Sequence, residues 1–172
     1  GKTRVAIALA ELLLRTGWAK RVLFLCDRKE LRVQADEALK QNLPSEPRCV
    51  IGETGQVDQT ARVYIATYPG MMNRFAQLDV GFFDLIIADE SHRSIYNKYR
   101  DLFDYFDALQ VGLTATPVKF ISRNTFDIFD CETTDPTFEF GLDAAINNEP
   151  PYLTPFRVRD LTTDFLRDGI HY

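Results

Sequence analysis

The sequence is short of several features that define protein classes. Its three cysteines, Cys26, Cys49 and Cys131, lie far apart and form no CxxC pair. That speaks against a structural zinc site and against a disulfide framework, and a reduced, cytoplasmic setting is expected. Long apolar runs are missing too. The longest, Val5 to Leu14, is broken by Glu11 and is too short to span a bilayer, so no membrane partner is expected. Only Gly1, Lys2, Thr3 and Arg4 precede that run, which leaves a secretory leader unexpected. There is no internal repeat and no low-complexity tract, and "NNEPPYLTPF" (147–156) is the one linker-like stretch.

An overall surplus of positive charge is also absent, since the formal net charge is -5. The distribution is uneven. Residues 1–48 carry 10 Lys+Arg against 6 Asp+Glu, residues 49–98 carry 4 against 6, and residues 99–172 carry 6 against 13. The N-terminal part is therefore basic and the C-terminal part acidic, which on charge alone reads as solvated surface.

What is present suits one domain with a substantial core: 172 residues, 45% of them hydrophobic and 12% aromatic. Apolar runs of strand length alternate with helical patterns. Residues 3–15 read as a helix apolar nearly all round, hence buried. "RVLFLC" (21–26) reads as a strand and "KELRVQADEALKQ" (29–41) as a helix with Leu31, Ala35, Ala38 and Leu39 on one face. Strands are expected at 48–52, 62–68, 82–90 and 109–117. Helices are expected after Pro69 (carrying Met71, Met72 and Phe75), at 99–107, at 122–129 and at 142–148. Continuous apolar strands between helices imply an α/β fold, a parallel sheet with helices on both faces. The expected division is 1–148 as one nucleotide-binding type of domain and 149–172 as linker and the start of another.

Three short stretches carry chemistry. Gly1-Lys2-Thr3 leads straight into a helix, as does the end of a phosphate-binding loop, where backbone N–H groups and the helix N-terminus cradle phosphate. Alone, three residues are a weak signal. "FDLIIADESH" (83–92) is a buried strand ending in two carboxylates, at the sheet edge where open α/β folds bind ligands. Phosphoryl transfer needs one carboxylate near the metal and a group to orient water, which suits Asp89 and Glu90 respectively. The bland alternative is an acidic turn. "GLTATP" (112–117) places two hydroxyls at a strand end stopped by Pro117, and by itself is no more than a turn.

Taken in order, GKT, DESH and TAT resemble motifs I, II and III of superfamily 2 helicases and translocases. The chain resembles more closely the motor subunit (subunit R) of type I restriction endonucleases. The stretches that carry this are "GKTRVAIALAELL", "RVLFLCDRKELRVQA", "VYIATYPGMM", "FDLIIADESHRSIYNKYRDLFDYFDALQVGLTATP", "RNTFDIFD" and "LDAAINNEPPYLTPFRV". Ser91 is a small departure, since Ala or Cys is commoner there in the family.

The resemblance implies a RecA-like P-loop NTPase fold using ATP and Mg²⁺. Gly1 and Lys2 would contact phosphate, Thr3 and Asp89 would hold Mg²⁺, and Glu90 would polarise the attacking water. His92, Thr114 and Thr116 would couple nucleotide state to DNA grip. Arg28, in the segment matching motif Ia, and Thr67, in a later strand-gripping segment, would touch the DNA backbone. Local alternatives are that Arg28 caps the 29–41 helix and that Thr67 only pairs within its sheet. Expected partners are double-stranded DNA and the methylase and specificity subunits. The front of the phosphate loop, an upstream nuclease domain and most of a second motor domain are expected to lie outside these residues, leaving 1–172 alone without useful turnover. Another superfamily 2 helicase, or a RecA-like module that binds without hydrolysis, are the alternatives.

Overall fold

A computed structural model of the chain describes residues 2–52, 56–89, 93–114 and 136–155. Contacts divide the chain into two compact units, Gly1–Pro136 and Thr137–Tyr172.

The first unit is built on five strands, β1 (Val22–Cys26), β2 (Arg48–Ile51), β3 (Val63–Thr67), β4 (Leu85–Asp89) and β5 (Leu109–Leu113). They form one sheet in the order β2-β3-β1-β4-β5, and every pairing is parallel. Strands buried on both faces need apolar residues at every position. β1 meets this in full, and β3 does up to Thr67, its one polar residue; all five residues of each are buried. The edge strands β2 and β5 are only partly covered.

Alternate strand residues feed two cores. Val22, Phe24, Val63, Ile65, Leu85 and Ile87 face helices α1 (Lys2–Thr16) and α2 (Lys29–Asn42). Leu23, Leu25, Tyr64, Ala66, Ile86 and Ala88 face α3 (Tyr68–Met72) and α4 (Arg93–Tyr105). Helices thus cover both faces, as the continuous apolar strands imply. α2 meets the sheet through Ala35 and Leu39, with Leu31 and Ala38 packed alongside, the face its periodicity marks.

Polar groups fix the junctions. α1 ends at Gly17, whose φ of 75° is a left-handed conformation that an L side chain strains to adopt. The Asp84 carboxylate accepts the backbone N–H groups of Lys20 and Arg21 at 2.7 and 2.9 Å, tying the entry of β1 to that of β4. Arg62 donates to Glu46 at 2.8 Å and to the Leu14 carbonyl at 3.1 Å, tying the end of α1 to the start of β3.

Several elements differ from the sequence expectations. α1 is buried along one stripe only, through Ala6, Ile7, Ala10 and Leu14, while Val5 is 63% exposed and Leu12 46%. A helix lying on a sheet needs only one apolar face, and alanines let this one approach closely. α4 starts at Arg93 and kinks at Tyr99 (φ -121°, ψ 21°), so the expected start at 99 is the kink and not the helix end. The helix after Pro69 stops at Met72, and Phe75 opens a separate 3₁₀ turn, Phe75–Gln77. Among the described residues of the strands expected at 82–90 and 109–117, the ladders cover Leu85–Asp89 and Leu109–Leu113, and Phe82 and Phe83 go to the core ahead of β4. The helix expected at 122–129 lies outside the described residues.

Within the second unit, α5 (Leu142–Asn147) follows Gly141. The backbone N–H groups of Tyr152 and Leu153 both donate to the Ala145 carbonyl, at 2.9 and 3.2 Å. Among the described residues no helix is long and apolar enough to cross a membrane.

Candidate functional site

In an all-parallel sheet every strand ends at the same edge. Here that edge carries Cys26, Ile51, Thr67, Asp89 and Leu113. α1 precedes β1 and packs antiparallel to it, so the start of α1 arrives at the same edge. Thr3, on the first turn of α1, and Asp89, the last residue of β4, line one cavity of about 270 Å³. Arg4 and the α2 residues Leu31, Gln34, Ala35 and Ala38 complete the lining.

The lining residues are of types that could take an anion together with a hard cation. A helix start presents backbone N–H groups and the positive end of its dipole. Arg4 adds a cation. The Thr3 hydroxyl and Asp89 carboxylate are oxygen donors, the kind Mg²⁺ prefers, and Mg²⁺ takes few protein ligands and keeps water or phosphate oxygens for the rest. Among the described residues no group of three or more His, Cys, Asp and Glu is placed to hold a metal ion.

Two neighbours of Asp89 set its surroundings. Tyr68 donates its hydroxyl to the Asp89 backbone carbonyl at 2.9 Å. Cys26 ends the adjacent strand, and its thiol is pushed up to about 12, first by burial and then by the negative charge of Asp89, with Arg32 pulling the other way. The thiol is neutral at physiological pH and is a poor nucleophile.

The other expected site residues fall as follows. Lys2 is the first residue of α1. Thr114 follows Leu113, whose register partner is Asp89, so it sits at the same edge beside β4. Arg28 occupies the N-cap position of α2 but makes no capping hydrogen bond. Its side chain is 76% exposed, with Nε 3.4 Å from Asp27. Thr67 is 7% exposed and caps α3, its hydroxyl accepting the Gly70 N–H at 3.2 Å. Gly70 suits that close approach, because a Cβ would lie 3.0 Å from the hydroxyl oxygen and the Thr67 side chain would have to shift. Gly1, Glu90, His92 and Thr116 lie outside the described residues. Thr67→Ala is expected to cost about 1 kcal/mol, the usual worth of an N-cap, and Thr67→Ser to restore it, both read by urea titration.

Sequence reasoning missed Tyr68, Arg4 and Gln34. A signal for the first exists: a tyrosine in an apolar stretch must satisfy its hydroxyl when buried.

The five-stranded parallel sheet with helices on both faces is that of a RecA-like helicase domain. The family model described as "Type III restriction enzyme, res subunit" (ResIII) matches residues 1–119, and the chain belongs to that family. The chain is 32% identical over 168 residues to the "Type I restriction enzyme EcoAI endonuclease subunit" of Escherichia coli, covering 92% of this chain and 20% of that protein. It thus spans about a fifth of that relative's length. Among solved structures it is similar to a fragment assigned as the HsdR subunit of a type I restriction enzyme from Vibrio vulnificus YJ016. That likeness has a TM-score of 0.62 and 27% identity, over 86% of this chain and 25% of the other. It is also similar to the Pyrococcus furiosus Hef helicase domain, with a TM-score of 0.60 and 26% identity, over 77% of this chain and 32% of the other.

Proposed function

We propose that the chain is the first RecA-like motor domain of a type I restriction enzyme R subunit, which hydrolyses ATP to move double-stranded DNA in the cytoplasm. The observation that carries this is the meeting of Thr3 and Asp89, distant in sequence, in one cavity at the strand ends. Lys2 contacts the β/γ-phosphates, and Thr3 and Asp89 hold Mg²⁺. The ion, when bound, neutralises charge that develops on the phosphates. Glu90 orients the attacking water. His92, Thr114 and Thr116 pass the state of the cleft to the DNA-binding surface. Arg28 is exposed and free to reach a DNA phosphate, a contact that carries no sequence information and so suits a motor that must pass over any sequence. Thr67 serves that surface by fixing α3. The methylase and specificity subunits supply recognition.

A second reading, another superfamily 2 helicase, is favoured by the likeness to the Hef helicase domain. The two separate in one assay on the full-length protein: ATP turnover with double-stranded DNA, followed together with displacement of a triplex-forming strand. DNA-stimulated turnover with triplex displacement and no duplex unwinding is the expected result. Unwinding would support the second reading, and nucleotide binding without turnover would overturn both.

A further inference from the structure

Thr3 and Asp89 line the cavity. Tyr68 holds the other side of one of them. Tyr68 is the first residue of α3 and its side chain is fully buried. β3 and β4 are not neighbours, because β1 lies between them. Tyr68, leaving the end of β3, therefore reaches past the end of β1 to donate its hydroxyl to the Asp89 carbonyl at 2.9 Å. The bond falls where strand pairing stops: the β1–β4 register runs to Leu25↔Ala88, and Asp89 is the next residue. The ring is fixed in turn. It stacks on Tyr99 with centroids 5.3 Å apart and an interplanar angle of 15°, and it packs against Phe103 at 6.2 Å. Tyr99 is the residue at which α4 kinks. One tyrosine thus joins the capped start of α3, the kink of α4 and the main chain of the carboxylate residue that lines the cavity.

We infer that Tyr68 is a positioning residue, whose hydroxyl fixes the main chain at Asp89 so that the carboxylate stays directed at the metal-nucleotide site. The inference rests on the reading of the cavity given above. A carboxylate that holds a small, geometry-demanding cation loses affinity when its backbone is free to move. Removing the hydroxyl should therefore act on the Mg²⁺ dependence of nucleotide binding and leave the contacts of the nucleotide alone unchanged.

The test uses Tyr68→Phe in the full-length protein, which keeps the ring and its stacking. Tyr64→Phe is a matched control: Tyr64 is equally buried and donates to the Asp58 carbonyl at 2.7 Å, away from the cavity. Binding of a fluorescent ATP analogue is measured across a Mg²⁺ titration. For Tyr68→Phe the Mg²⁺ concentration giving half of the tightening should rise roughly five- to tenfold, the scale of losing one hydrogen bond to a buried acceptor. Metal-free binding should change less than about twofold. Hydrogen exchange should quicken at the end of β4 but not in β1. Tyr99→Leu, which removes the stacking partner and leaves the hydroxyl, should raise the same midpoint by a smaller factor. An unchanged midpoint in Tyr68→Phe or in Tyr99→Leu, or an equal rise in Tyr64→Phe, would overturn the assignment while leaving the nucleotide site standing. A wild-type protein that binds no nucleotide would overturn the site itself, and the assignment with it.

Discussion

Glu90→Gln in the full-length protein is expected to bind ATP about as well as wild type and to lose turnover by about 10²–10⁴-fold, the usual range for a positioned acid–base group. The amide keeps the volume of the side chain and removes the charge that orients water. Asp89→Asn should differ in kind. Asp89 lines the cavity together with Thr3, and its proposed part is to hold the metal. Its loss should raise the Mg²⁺ requirement for binding as well as lowering turnover. Binding curves taken across a Mg²⁺ titration, beside steady-state ATPase rates, separate the two. Equal Mg²⁺ midpoints for the two variants would mean that the roles of the adjacent carboxylates are wrongly divided. Full turnover in Glu90→Gln would remove Glu90 from the mechanism.

The largest expected effect on stability comes from Phe83→Ala. Phe83 is fully buried just ahead of β4. Its ring meets Tyr64 at 5.3 Å, Phe82 at 4.9 Å and Phe106 at 5.0 Å, all edge to face. That arrangement sets the positive edge of one ring against the negative face of another, beyond the gain from burial alone. Truncation removes three such contacts and leaves a cavity, at a cost of about 3–5 kcal/mol. A domain of this kind has about 5–15 kcal/mol in all, so the variant should unfold at much lower urea with its m-value unchanged. A loss below about 1 kcal/mol would show that the cluster collapses around the gap. The site lies at the other end of β4, so the folded variant should still bind nucleotide at low temperature.

The sheet was legible in the sequence because β1, β3 and β4 are buried on both faces and therefore carry unbroken apolar runs. The helix limits were less so. α4 begins with residues whose pattern is mostly polar, and its kink falls at Tyr99, whose ring stacks on Tyr68, a residue far away in sequence. α1 looked buried all round because alanine and leucine fill it, while burial depends on how much of its surface the sheet reaches. At the site, Thr3 and Asp89 could be read because each sits where a helix begins or a strand ends. The α2 wall of the cavity and the Tyr68 bond could not, since both depend on which strands are neighbours. Hydrophobic pattern identifies a strand but not the strand beside it.

The strand order has a consequence for how the chain is made. β1 emerges first among the strands and ends in the middle of the sheet, with β3 on one side and β4 on the other. Neither partner exists when β1 leaves the ribosome. At about 5–20 residues per second, roughly 3–12 s pass between the synthesis of Cys26 and that of Leu85. Until β3 is complete at Thr67 "VLFLC" has two open edges, and from there to Leu85 it has one, with no charged residue of its own. The most apolar strand of the domain also waits longest for its neighbours. What covers it first is α1 and α2, whose alanine and leucine faces pack on Val22, Phe24 and Cys26. The helices that frame the cavity in the finished domain are thus also the natural shelter of its central strand during synthesis, and slowing translation between residues 26 and 85 should favour aggregation most in variants that weaken the Ala35–Leu39 face.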